Sequence, residues 1–303
     1  MEYCIYKLDF QTEVHFGNGM LNESVCTFGA DQLFSALYIE ALKWDKQTIF
    51  YDTVKKGKLL FSDMLPYVEE RYMVPKPMVY VEPVDRGRSE QKKRMKKLKF
   101  LPIEDLECFL AGTLELTEEN PMNHFGTYQQ KTRADVSGGE ETVPYRVGTF
   151  SFNENCGLYV IVAYQNMQER NLIEELLESL SYTGIGGKKS SGLGKFILRK
   201  GKMPEKLLQR LNSKANRYML LSAALPEENE LDEAMKGASY LLEKRSGFVA
   251  SPAYAEEWRR KRDLFVFAEG SCFATTFHGD IYDVSNGGKH SVFRYAKALF
   301  LGV

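Results

Sequence analysis

An α+β fold is predicted by three features of the chain. Residues 3–10 alternate in the strand period, with Cys4, Tyr6, Leu8 and Phe10 on one side and Tyr3, Ile5, Lys7 and Asp9 on the other. Phe34, Leu37, Ala41 and Trp44 then recur at helical spacing and give a buried stripe. Farther on, an apolar strand at 158–164, a helix from about Gln168 and a strand beginning Phe196-Ile197-Leu198 follow in turn. With the short strands expected over 59–82, the order is strand, helix, strand, strand, helix, strand, which is the ferredoxin-like (RRM-like) unit. The rhythm recurs more loosely after Asn212, with strands expected at 218–224, 240–249, 264–268 and 271–277 and a short helix at 230–236. Two ferredoxin-like halves, 1–205 and a degenerate 206–303, fit this better than one, with a linker near 200–214.

Each stretch has its own reading. Asp31 stands where a helix N-cap is expected, because its carboxylate can accept the orphan N–H groups of the first turn. Pro66, Pro75 and Pro77 break the strands of 59–82. The most basic segment is 86–99, with Arg86, Arg88, Lys92, Lys93, Arg94, Lys96, Lys97 and Lys99 against Glu90. It reads either as a solvated helix face or arm, or as a nucleic-acid contact. Residues 109–116 look like another strand. From about 120 to 148 apolar periodicity is lost, in a stretch holding Lys131, Arg133, Gly138, Gly139 and Arg146. Loops this long are uncommon unless they are functional.

Size and composition bound the answer. The 303 residues carry a net charge of −1, so a nucleic-acid site must come from locally concentrated charge. Five cysteines (Cys4, Cys26, Cys108, Cys156, Cys272) are scattered without a C-x-x-C pair, which reads as reduced, mostly buried thiols in a cytoplasmic protein. The N-terminus reads as a strand and not as a signal peptide, and no apolar run is long enough to span a bilayer.

The densest chemical signal is 182–196. Gly184, Gly186, Gly187, Gly192 and Gly194 are interleaved there with Lys188, Lys189, Lys195, Ser190 and Ser191. Glycines let a backbone approach a ligand closely and can aim several N–H groups at one anion, while lysine and serine add charge and donors. That chemistry suits phosphate; the competing reading is a plain surface turn. A Walker A loop is excluded, because Gly194-Lys195 is followed by Phe196 and the first glycine position holds Lys189. A dinucleotide fingerprint leads from strand to helix, whereas this loop leads from helix to strand. A polymer backbone is the better candidate.

The run Gly184-Ile-Gly-Gly-Lys-Lys-Ser-Ser-Gly-Leu-Gly-Lys-Phe196 resembles the glycine-rich loop of the RAMP proteins of CRISPR systems. Three further stretches resemble the RAMP subunit that caps the crRNA 5′ end in type III-A (Csm) effector complexes. They are Phe28-Gly-Ala-Asp-Gln-Leu-Phe-Ser-Ala-Leu37, Lys244-Arg-Ser-Gly-Phe-Val-Ala-Ser251 and His290-Ser-Val-Phe-Arg-Tyr-Ala-Lys-Ala-Leu-Phe300. The resemblance implies two RAMP domains, with 120–148 inserted as a β-hairpin thumb. It also implies a non-catalytic subunit that needs no cofactor or metal and holds the crRNA 5′ tag. Target RNA near the guide 5′ end, the large polymerase-like subunit and the adjacent backbone RAMP subunit are its implied partners. RNA contact is expected at Gly184, Gly186, Gly187, Lys188, Lys189, Ser190, Ser191, Gly192, Gly194 and Lys195 of the loop. It is further expected at Lys131, Arg133 and Arg146 of the hairpin, and at Lys244, Arg245 and Arg294. Arg294 and Lys297 are expected to stand apart from the apolar residues that complete the second sheet.

A guide-processing endoribonuclease of the same superfamily is the alternative, since such enzymes use a histidine on a ribose 2′-OH. None of His15, His124, His278 and His290 sits in the glycine loop or on the first helix; His15, in the loop before that helix, is nearest. A lone loop histidine is more often a hydrogen-bonded structural residue. No His/Cys/Asp/Glu set shows metal-ligand spacing; Asp280 and Asp283 near His278 and His290 could bind a cation, but at a spacing common in loops.

Overall fold

The computed structural model describes residues 1–82, 89–116, 120–135 and 143–303. Arg86 and Arg88 of the basic segment, and Gly138 and Gly139 of the hairpin stretch, lie outside the described residues. Strand β1 (Glu2–Phe10) forms where the alternation predicts it. Helix α1 (Ala30–Lys43) buries Phe34, Leu37 and Ala41. Then come α2 (Gln47–Lys55), β2 (Leu59–Phe61), β3 (Leu65–Val68) and β4 (Arg71–Pro75). They are followed by α3 (Ser89–Lys97), β5 (Phe100–Pro102) and α4 (Leu106–Leu110). Strands β6 (Gly126–Asp135) and β7 (Val143–Phe152) pair in an antiparallel hairpin from Gly126↔Phe152 to Asp135↔Val143. Strand β8 (Cys156–Tyr164), helix α5 (Met167–Thr183) and strand β9 (Phe196–Gly201) complete the first half.

The main sheet is antiparallel in the order β5-β4-β3-β8-β1-β9, with β2 also paired to β8. The apolar run of β8 is buried along its whole length, which suits the centre of a sheet covered on both faces. Helix α5 starts at a capping box: Asn166 Oδ1 accepts from the Gln168 amide, and Glu169 Oε2 accepts from the Asn166 amide. It packs on β8 and β9, with α1 at its side.

The second half holds α6 (Glu205–Asn212), β10 (Tyr218–Leu220), α7 (Glu228–Ala234), β11 (Leu242–Arg245) and β12 (Leu264–Phe267). Strands β13 (Cys272–Phe273), β14 (Gly279–Asp283), β15 (Phe293–Lys297) and β16 (Phe300–Gly302) follow. They form three small sheets, β13-β10-β16, β11-β12 and β14-β15. The long strand expected at 218–224 stops at Leu220, because the next residues bond to different neighbours in turn. The Leu221 amide donates to Leu299 O, Asp63 N donates to Leu221 O, and Ala224 pairs with Phe267.

Several expectations are corrected. The cap of α1 is Gly29, whose amide donates to Gln32 Oε1; Asp31 lies inside the first turn and is buried. Trp44 does not extend the buried stripe: it sits just past the helix end, 63% exposed, and donates from Nε1 to Ser179 Oγ at 3.1 Å. Residues 109–116 hold no strand. Helix α4 covers their start and closes through Ala111 N to Glu107 O and Thr113 N to Cys108 O. Within the expected linker, 205–212 forms helix α6, because Leu207 and Leu211 pack inward at helical spacing.

The largest core runs through both halves. Tyr295 of β15 stacks on Phe61 of β2 with ring centroids 4.5 Å apart and interplanar angle 16°, and on Phe34 of α1 at 5.9 Å. Its hydroxyl donates to Phe61 O and accepts from Phe61 N. A large ring buried with its polar tip satisfied is among the heaviest contributors to a core.

Candidate nucleic-acid interface

The glycine-rich loop leaves α5 and is laid against the segment that follows β1. Gly187 N donates to His15 O and Gly194 N to Glu13 O, both at 2.8 Å, and Lys195 N donates to Thr12 Oγ1 at 3.0 Å. Ile185 N donates across the loop to Gly194 O. Glycine is required at two of these places. At Gly194, with φ +75°, a Cβ would sit 1.9 Å from Ile185 O; at Gly186, with φ +89°, it would sit 2.8 Å from His15 O. The amides of Ile185, Gly187 and Gly194 are thus consumed inside the fold and are not among those the loop can aim at an anion.

What the loop presents outward is side chain. Ser190 and Ser191 are exposed, Lys188 and Lys189 half-buried. Burial pushes the Lys189 ammonium below its usual range, while Glu40 pulls the other way. Lys195 donates from Nζ to Tyr182 O at 2.6 Å, so it caps the end of α5.

The hairpin meets the loop at one point: Lys188 Nζ lies 5.0 Å from the centroid of the Tyr145 ring, a cation–π contact. Cross-strand pairing sets what shares that face. Lys131↔Val147 and Arg133↔Tyr145 project to the same side, and Thr132↔Arg146 projects to the other. Lys131, Arg133, Tyr145 and Lys188 are therefore brought together, with Lys131 paired to Glu13 at 2.7 Å. Arg146 is not. His15 lies beneath the junction, 7% exposed, and donates from Nδ1 to Gly148 O at 2.6 Å. It holds the hairpin base to the loop segment.

The C-terminal basic residues are placed differently. Lys244 pairs with Asp263 at 2.7 Å. Arg245 pairs with Glu243 at 3.0 Å and lies 3.9 Å from Asp31. Arg294 is buried: Nη1 donates to Asp31 Oδ2, and Nη2 donates to Ser246 O at 3.2 Å. Lys297 is also buried and donates to Gly279 O and Lys55 O. The expectation that both stand apart from the core is overturned, because the core supplies a carboxylate and carbonyls that accept from Arg294 Nη1 and Nη2 and from Lys297 Nζ. The Arg294 guanidinium is not offered to a ligand at the surface.

One exposed cluster is not singled out by the sequence patterns. Phe248 and Trp258 meet edge to face at 6.2 Å, Arg260 lies over the Phe248 ring at 5.7 Å, and Trp258 is 82% exposed. Its signal is Trp258-Arg-Arg-Lys-Arg262, an aromatic beside a cationic run. Within it Arg259 and Arg262 are tied to backbone carbonyls of the 283–287 loop.

Asp280, Asp283, His278 and His290 do not converge. They pair with Lys55, Ser285, Glu230 and Ser251 respectively. Among the described residues no three His, Cys, Asp or Glu side chains are gathered as metal ligands, and no helix is long and apolar enough to cross a membrane.

Comparison with known proteins decides the family. A protein of Mycobacterium tuberculosis, CRISPR system Cms protein Csm4, is 40% identical over 305 residues, covering 100% of this chain and 98% of its own length. The chain belongs to the Csm4 family. A second Csm4 protein, from Streptococcus thermophilus, is 38% identical over 309 residues, covering 99% of this chain and 98% of its own. Residues 213–303 match the family model of the CRISPR Csm4 C-terminal domain.

Solved Csm4-containing structures agree in fold. The crystal structure of a Csm3-Csm4 subcomplex of the type III-A CRISPR-Cas interference complex matches with a TM-score of 0.67 at 19% identity, covering 100% of this chain and 99% of the other. A Csm1-Csm4 cassette in complex with AMPPNP matches with a TM-score of 0.64 at 18% identity, covering 100% and 98%. The shared architecture is a mixed α/β fold with antiparallel sheets.

Proposed function

We propose that this chain is the crRNA-binding subunit of a type III-A interference complex, working without catalysis of its own in the cytoplasm. It holds the repeat-derived 5′ tag of the guide, lies near target RNA at the guide 5′ end, and bridges the large polymerase-like subunit to the adjacent backbone RAMP subunit. The observation that carries this reading is the contiguity of glycine loop and hairpin at Lys188 and Tyr145, which joins two basic elements into one track. Lysines beside an aromatic ring suit a single strand, because phosphates and base faces are recognised without regard to sequence. The burial and hydrogen bonding of His15 support a binding role over a cleaving one. The full-length likeness to Csm4 proteins, and to Csm4 crystallised with Csm3 and with Csm1, supports the bridging role.

On this reading residues 1–205 are a ferredoxin-like RAMP domain. Its sheet order β9-β1-β8-β3, with helices α1 and α5 after β1 and β8, supports that assignment. The hairpin within 120–148 is its thumb, and 206–303 is a degenerate second domain. Co-expression of the chain with the large and backbone subunits and a guide array tests the whole reading. It requires an assembly carrying a guide of defined 5′ tag. Recovery of the chain without partners or guide overturns it, and so does metal-independent cleavage of repeat RNA by the chain alone.

A further inference from the structure

On the side of the hairpin away from the glycine loop there is a cavity of about 520 Å³. Three cations open onto it: Arg94 and Lys97 from the last turns of α3, and Lys99 from the link to β5. Asn120, Asn123 and Tyr128 complete its polar wall, and among the described residues no carboxylate lines it. Asn120 spends its Oδ1 on the Met122 amide, which leaves its NH₂ as a donor. The cavity lies within the roughly 300–1,000 Å³ range of small-ligand sites. Two exposed lysines at one hollow, Lys97 and Lys99, in a chain of net charge −1, give a local positive field that draws an anion.

Hairpin register connects the cavity to the remaining basic residue. Tyr128 pairs with Phe150 and, four residues on, Thr132 pairs with Arg146. Side chains two and four apart share a strand face, so Tyr128 and Arg146 look out from the same side, about 13 Å apart along the strand. That side is opposite to Lys131 and Arg133. The Tyr128 ring is 58% exposed at the cavity and gives a flat face for a base.

We propose that this cavity takes a phosphate-bearing nucleotide, with the phosphate on Lys97 and Lys99 and the base against Tyr128. The nucleotide is either free or one unit of an RNA strand running along the Arg146 face. The strand form rests on the guide-binding reading; the free form does not.

The test uses the full chain with two probes, adenosine monophosphate in equilibrium dialysis and a labelled single-stranded oligoribonucleotide in fluorescence anisotropy. Lys97 and Lys99 are exposed, so Lys97→Ala/Lys99→Ala should keep the wild-type circular dichroism. The expected result is roughly tenfold or greater weakening for at least one probe, since the variant removes two charge-assisted hydrogen-bond donors. With the oligoribonucleotide the log–log salt slope should also fall by about 0.7, the value for one phosphate no longer neutralised on a single strand. Weakening with both probes identifies a free-nucleotide site, and weakening with the strand alone a site on the RNA path. A Lys188→Ala/Lys189→Ala variant runs in parallel. If it alone weakens strand binding and Lys97→Ala/Lys99→Ala binds both probes as wild type, this inference falls and guide binding stands. If neither variant changes either probe, both fall.

Discussion

Asp31 and Arg294 stand 263 residues apart in sequence and meet as a buried ion pair, Asp31 Oδ2 accepting from Arg294 Nη1. The pair joins α1 to β15 across the two halves. Their exposures are 3% and 6%, so removing either partner strands a charge in the core. Arg294→Ala is expected to cost about 3–5 kcal/mol, read as a lower urea midpoint. Arg245, 3.9 Å from the other Asp31 oxygen, offsets only part of this. A midpoint unchanged from wild type would show that the pair holds nothing.

Asp63 sets a pH dependence. Its Oδ1 accepts from Ala30 N at 2.7 Å and Ala223 N at 3.2 Å, tying the start of α1 to the second half. Burial pushes its carboxyl up to about 6, with Asp31 pushing the same way and Arg245 and the two amides pulling down. A carboxyl raised on folding binds its proton more tightly in the native state. Its contribution is therefore full below the unfolded value near 4 and is lost as pH rises through about 6. Asp63→Asn keeps an acceptor for both amides and removes the titration. Wild-type stability should decline relative to the variant between pH 4 and about 6 and hold a constant offset above. Parallel stability profiles of the two proteins would refute this.

The hairpin separates into root and arm. Val147, Phe150 and Phe125 are buried, and Phe152 stacks on Phe10 at 4.6 Å, so the root belongs to the core. The arm carries Arg133, Tyr145 and Arg146. Replacing residues 132–146 with an Asn-Gly turn keeps the Lys131↔Val147 rung and its register. The shortened protein should unfold within about 1 kcal/mol of wild type, because the buried root residues Phe125, Val147 and Phe150 are all kept. It should bind a guide strand with a smaller salt slope. Loss of folding would assign the arm to the core.

Local patterns are legible in the sequence, and distant pairings are not. The stripe Phe34, Leu37 and Ala41, the alternation of β1 and the helix-to-strand setting of the glycine loop are all set within a few residues, and periodicity reports them. The burial of Arg294 depends on Asp31, and no spacing rule links two residues so far apart. Continuous apolar runs in the second half read as long strands, but those runs serve several small sheets in turn. In the glycine loop, composition points to donors without revealing that His15 O, Glu13 O and Gly194 O already use the amides. Composition groups Arg146 with Lys131, and strand alternation puts it on the other face.

On the proposed function, Lys188 and Lys189, beside the hairpin, hold the phosphates of the guide's 5′ tag. The most direct measurement is the salt dependence of tag-RNA binding by wild type and by Lys188→Ala/Lys189→Ala. Both proteins should fold alike, and the variant's log–log slope should be smaller by about 0.7 for each phosphate no longer neutralised, with weaker binding at low salt. An unchanged slope and affinity would contradict the account and assign these lysines to solvent or to a protein partner.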